Sequence, residues 1–225
     1  MTTRRGFLES AAAGAAALTI SPAAALAAVP REFATLVAPP SDDWDLSWTD
    51  RVKGKHRAVF DCTEPESGYG VWRARAWKQQ NIQVLKVDPA DITSVIVLRH
   101  NAIVLAMQQR FWDKYGIGAA KNVTHPMTQK PTNQNPVLLG EKDGIPAPMA
   151  GVALPAQMAA GAIVLACNLA LQDCIDMIAS KDKVTEGEAR KRAISYMIPG
   201  VILQPSGVFA TVRAQEAGAL YLKAS

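Results

Sequence analysis

The sequence predicts an α/β domain whose parallel sheet is covered by helices on both faces. Three observations carry that prediction. Short, nearly unbroken runs of Val, Ile, Leu and Ala recur along the chain, as strands buried on both faces require. Between them lie segments whose apolar residues stand three and four apart, the spacing of a helix with one buried side. The two kinds of segment alternate, and such alternation builds a parallel sheet between helical layers.

The strands are "RAVFDC" (57–62), "ITSVIVLRH" (92–100), "GAIVLAC" (161–167), "GVILQP" (200–205) and "ALYLK" (219–223). After the first, "YGVWRARAWKQQ" (69–80) sets Trp72, Ala76 and nearby Trp77 to one side of a helix and basic residues to the other. After the second, "AIVLAMQQRFWDKYG" (102–116) has Val104, Met107, Phe111 and Tyr115 at helical spacing, and Gly116 suits its C-terminus. After the third, Leu171, Cys174, Ile175 and Ile178 share one helical stripe. Thr185 and Glu188 then have the spacing of a capping box. Ser206 is an N-cap for a last helix that ends at Gly218. Residues 121–150 break the alternation. They are rich in Pro, Asn, Thr and Gln, and read as a long insertion near the sheet's carboxyl edge, either a lid or a passive surface loop.

Two segments precede the domain. In residues 1–27, Arg4 and Arg5 stand before an Ala- and Gly-rich apolar stretch and an A-x-A site, with cleavage expected after Ala27. The apolar stretch falls short of the roughly 20 strongly apolar residues of a spanning helix. The twin arginine followed by Phe7 and Leu8 resembles a Tat export signal, which implies a periplasmic protein. Residues 28–55 read as an arm or linker, in which Trp44 and Trp48 are spaced to dock it onto the domain.

Composition narrows the function classes. Apolar residues make up 49% of the 225, ample for one sizeable core. The net charge is +4 and the basic run "KGKHR" (53–57) is short, so a nucleic-acid surface is not expected. Three cysteines are an odd number, which excludes a complete disulfide framework. The chain has no phosphate-cradling glycine loop and no Gly-x-Ser-x-Gly elbow, and no cofactor is expected.

Residues 56–225, apart from the 121–150 insertion, resemble the DsrE/DsrF-like family. The resemblance rests on "VLACNLAL" (164–171), on "IPGVILQPSGVFATVRAQEAGALYLK" (198–223) and on "VIVLRHNAIVLAM" (95–107). It implies a three-layer α/β/α sandwich with a five-stranded, mainly parallel flavodoxin-like sheet, assembly into trimers or hexamers, and sulfur relay by a cysteine. The family's turn has Gly or Gln and then Asn-Thr-Leu after that cysteine, whereas this chain has Asn168, Leu169, Ala170 and Leu171.

Cys167 is the candidate persulfide thiol. It closes a strand and precedes a helix, where backbone N–H groups and the helix dipole favour the thiolate. Cys174 lies on an apolar stripe and is expected in the core. Ligands of open α/β sheets bind outside the carboxyl ends of the strands. With strand order 2-1-3-4-5, the first and third strands are neighbours, so Cys62 comes within reach of Cys167. His100, a candidate base or thiolate partner, then faces the same crevice with Arg99, Asn101 and Asn168 as ligand contacts. Asp61 and Glu64 are acidic groups at the first strand's end, expected as caps or ligand contacts. No metal-ligand spacing is present, though Cys62, Cys167 and His100 would form a soft N/S set if they converged. The expected function is an exported, thiol-based role in sulfur handling, as persulfide carrier or sulfurtransferase. Its partners would be small sulfur species or a partner thiol protein. The alternative is a non-catalytic ligand- or metal-binding or assembly module on the same fold.

Overall fold

The structure, a computed structural model, describes residues 44–225. The export signal of residues 1–27 and residues 28–43 of the arm lie outside the described residues. Five strands form one sheet: β1 (His56–Cys62), β2 (Ile92–Leu98), β3 (Ile163–Cys167), β4 (Ile202–Gln204) and β5 (Leu220–Lys223). All four pairings are parallel. The helices are α1 (Tyr69–Leu85), α2 (Gln109–Tyr115), α3 (Ile117–Ala120), α4 (Leu154–Ala159), α5 (Asn168–Asp182), α6 (Glu186–Tyr196) and α7 (Gly207–Glu216). They cover both faces, as the alternation predicts, which makes a three-layer α/β/α sandwich of flavodoxin-like layering. No helix among the described residues is long and apolar enough to cross a membrane.

The period-2 alternation of each strand divides the core. Phe60, Cys62, Ile96, Leu98, Val164 and Ala166 face one side, against α1, α2, α5 and α6. Val59, Val95, Val97, Ile163 and Leu165 face the other, against Ala210 and Ala214 of α7. Trp48, fully buried in a 3-10 turn (Ser47–Arg51), completes that second layer and docks the end of the arm onto the sheet.

The strand order is β4-β3-β2-β1-β5 and differs from 2-1-3-4-5. The cause lies in the side on which each crossover runs. Parallel crossovers are right-handed, so successive connections over one face must step in one direction across the sheet. Val71 and Ala74 seat α1 in the same layer as α2, α5 and α6, and β1 to β4 therefore follow in order. Only α7 crosses the opposite face, and it carries the chain back beyond β1 to β5. As a result β2 separates β1 from β3.

Two further elements depart from the sequence pattern. The helix expected over 102–116 is two pieces, a 3-10 helix (His100–Ala106) and α2. The chain leaves the helix at 106–108 to pair with 196–198: Ile198 N–H donates to Ala106 O at 2.8 Å, and Gln108 N–H to Tyr196 O at 2.8 Å. The 121–150 insertion is not a loose lid. Val137, Leu139 and Ile145 are buried, and the fully buried Asn135 donates to Leu105 O and Met107 O while accepting from Val137 N–H.

Candidate functional site

At the carboxyl edge of the sheet, β1 ends in a charge inside an otherwise apolar run. Asp61 is 2% exposed, and a buried carboxylate requires partners. Arg99, one residue beyond β2, supplies them as a fork: Nε donates to Oδ1 at 2.6 Å and Nη2 to Oδ2 at 2.8 Å. Tyr221 of β5 donates its hydroxyl to the same Oδ2 at 2.8 Å. Burial raises the pKa of the Asp61 carboxyl, but the hydrogen bonds from Arg99 and Tyr221 and the Arg99 charge outweigh it and hold the group below its ordinary value. The Arg99 stem also runs across Gly207, the first residue of α7. A Cβ built at Gly207 would lie 2.5 Å from Arg99 Cδ, so only glycine leaves the arginine its course.

Cys167 stands on the strand beyond. Leu98 pairs with Ala166, so the next residues along, Arg99 and Cys167, are neighbours across the strand boundary. Cys167 is the N-cap of the 15-residue α5, and its Sγ accepts the Ala170 N–H at 3.4 Å. The Arg99 guanidinium is close enough for its charge to interact with the sulfur. On the far side, Gln204 pairs with Cys167 in register, about one strand spacing, ~4.8 Å, away. Gln204 is fully buried; its Nε2 donates to Asp45 O at 2.8 Å and to Leu203 O at 3.0 Å, while its Oε1 has no donor among the described residues. A buried acceptor left open in this way is unusual in a folded core.

The other two cysteines belong elsewhere. Cys62 shares a row with Leu98 and Ala166 and points into the α1 layer, where its Sγ would lie 2.7 Å from a Cβ built at Gly70. Burial, with the Asp61 charge adding to it, pushes the Cys62 thiol up to about 12. Cys62 is therefore not in the crevice with Cys167, which corrects the shared site expected from strand order 2-1-3-4-5. With β2 between them, β1 and β3 lie two strand spacings apart, about 9.6 Å, beyond the roughly 4.4–6.8 Å a disulfide needs. All three cysteines are free. The soft metal set of Cys62, Cys167 and His100 is taken apart by the same geometry, and no group of three or more His, Cys, Asp or Glu that could hold a metal occurs among the described residues. Cys174 is 1% exposed on the inner stripe of α5, and burial pushes its thiol up to about 12.

His100 opens the 3-10 helix in the left-handed backbone region (φ 49°), exposed on the rim beside the Asp61–Arg99 pair. Asn101 is turned outward: its Nδ2 donates to Glu64 at 3.1 Å and its Oδ1 accepts from Lys121 at 2.5 Å. Asn168 accepts from Arg190 of α6 at 2.6 Å, which ties α5 to α6 and engages its side-chain oxygen. The site that forms is Arg99 with Cys167, and His100 stands on the rim near Asp61. Tyr221 and Gln204, which sequence reasoning does not single out, complete it with Asp61. One sign was present in the sequence, the lone Asp of "AVFDC". No family model, no curated protein and no solved structure matches the chain.

Proposed function

We propose that the protein handles sulfur through the thiol of Cys167, as an exported DsrE/DsrF-like persulfide carrier or sulfurtransferase. One observation carries this reading: Cys167 caps α5 beside Arg99, so its sulfur meets a helix N-terminus and a guanidinium together. Cys167 is also the most accessible of the three cysteines, at 5% exposure against 0% for Cys62 and 1% for Cys174. In the proposed step, the Cys167 thiolate attacks the outer sulfur of a donor persulfide R–S–SH. The donor S–S bond breaks, R–S⁻ departs, and the enzyme holds Cys167–S–SH, with no net oxidation. The open Gln204 Oε1 is the proposed acceptor for the new S–H, and His100 the proposed acceptor for the thiol proton.

Self-association as a trimer or hexamer is proposed with it. The supporting observation is exposed apolar surface, Leu220, Tyr221 and Leu222 of the edge strand β5 and Val208 and Val212 of α7. One experiment addresses both. The protein is treated with a low-molecular-weight persulfide donor and its mass is measured under native and denaturing conditions. A gain of one sulfur per chain in the wild type, absent in Cys167→Ala, and a native mass of three or six chains are the expected results. An unmodified wild type, or an equally modified Cys167→Ala, overturns the thiol reading.

A further inference from the structure

Away from the carboxyl edge, the outer stripe of α1 forms one wall of a cleft of about 420 Å³, opposite Pro148, Met149 and Val152. Its volume is that of a small-molecule site. Its apolar lining is built around Tyr69 and Trp72, packed edge to face with centroids 5.8 Å apart. Arg75 lies at the junction of this cleft with a smaller cavity of about 90 Å³, which Lys78 also lines.

The polar groups of the two cavities are unbalanced. Arg73, Arg75 and Lys78 line them, and among the described residues no Asp or Glu does. Arg73 is engaged by Glu66 and by the Ala224 carbonyl. Arg75 makes no hydrogen bond or ion pair among the described residues. Lys78 is 9% exposed, and its one partner among the described residues is neutral, the Ala160 carbonyl at 2.7 Å. Burial lowers its pKa, and the Arg75 charge acts in the same direction. Trp72 is 7% exposed, and its indole N–H is buried without an acceptor among the described residues. Two neighbouring cations without a carboxylate and a buried donor without an acceptor are each costly alone. A single anion on Arg75 supplies the counter-charge that the two cations lack.

We propose that this cleft binds a small organic carboxylate with a flat apolar body, its carboxylate on Arg75 and its body against Tyr69, Trp72 and Met149. A guanidinium fork with no partner matches the two oxygens of a carboxylate. The aromatic pair and the methionine supply the apolar surface for the rest of the molecule. Gly151 leaves the fork room: a Cβ there would lie 3.0 Å from Arg75 Nε and crowd the guanidinium. The site does not depend on Cys167.

The test is calorimetric titration of the full chain with 2-naphthoate, with its neutral amide 2-naphthamide, and with inorganic phosphate. Naphthoate is expected to bind saturably, and the amide to bind roughly tenfold more weakly or worse, the loss of one charge-assisted contact. Arg75→Gln is expected to bring naphthoate down to the level of the amide with the melting temperature unchanged, since Arg75 bonds to nothing in the described fold. Gly151→Ala is expected to weaken naphthoate without affecting the amide. Equal affinity for acid and amide, naphthoate binding that survives Arg75→Gln, or no saturable binding at millimolar naphthoate overturns the proposal. Phosphate displacing naphthoate at equal concentration also overturns it, because the site would then read charge alone.

Discussion

Asp61 shows how one side chain can organise a strand end. Its carboxylate spends both oxygens on the Arg99 fork and takes the Tyr221 hydroxyl as well. Replacing it by Asn leaves Arg99 without a counter-charge, and Arg99 is only 20% exposed. We expect Asp61→Asn to lose about 3 kcal/mol near neutral pH by urea unfolding, the low end of the range for breaking a buried pair. The pH dependence has a definite sign. The folded-state pKa lies below the ordinary 3.8, so the contribution is complete above that value and is lost as pH falls through the lower, folded one. The gap between wild type and variant should therefore close in strong acid; a gap that stays constant with pH would contradict the pairing. At this scale the sequence was only partly readable. The Asp in "AVFDC" stands out, but Tyr221 and Gln204 look like ordinary strand residues until strand pairing brings them beside it.

Among the elements, the 121–150 segment is the least legible and the most informative. It has no helical or strand period, because its turns are 3-10 and its buried residues, Val137, Leu139 and Ile145, are spread irregularly. What fixes it is Asn135, whose amide satisfies two carbonyls at the end of the 3-10 helix before α2 and one N–H of its own turn. Asn135→Ala should cost about 3 kcal/mol, since each buried backbone group left unpaired costs roughly 1–3 kcal/mol. It should also expose residues 121–150 to limited proteolysis before the rest of the domain; stability and cleavage like the wild type would show the loop to be held by its apolar residues alone. The helices with strong local signals behaved differently. Thr185 accepts the Glu188 N–H and Ser206 the Phe209 N–H, as their cap spacing predicts. The 102–116 helix broke because a distant segment, 196–198, competes for its backbone, and no local period can register that.

For the whole molecule, the sequence supported the strand count, the parallel arrangement and the covering of both faces, while the strand order lay beyond it. Whether α1 crosses the front or the back of the sheet decides the order, and the apolar pattern of a helix does not name the face it will cover. The proposed Tat-type export belongs to this scale too. Replacing Arg4 and Arg5 by lysines should leave the precursor in the cytoplasm on fractionation, and normal maturation of that variant would point to another route. The order β4-β3-β2-β1-β5 also governs how the chain assembles as it is made. β1 can pair with β2 early, but its other edge waits for β5, whose Tyr221 is 160 positions away from Asp61 along the chain. Through most of synthesis, then, an apolar strand stands with one side bare, the kind of edge on which chains stick to one another. Asp61 stands at the end of that strand: β2 brings it the Arg99 fork, and the closing strand brings the tyrosine that completes its hydrogen bonds.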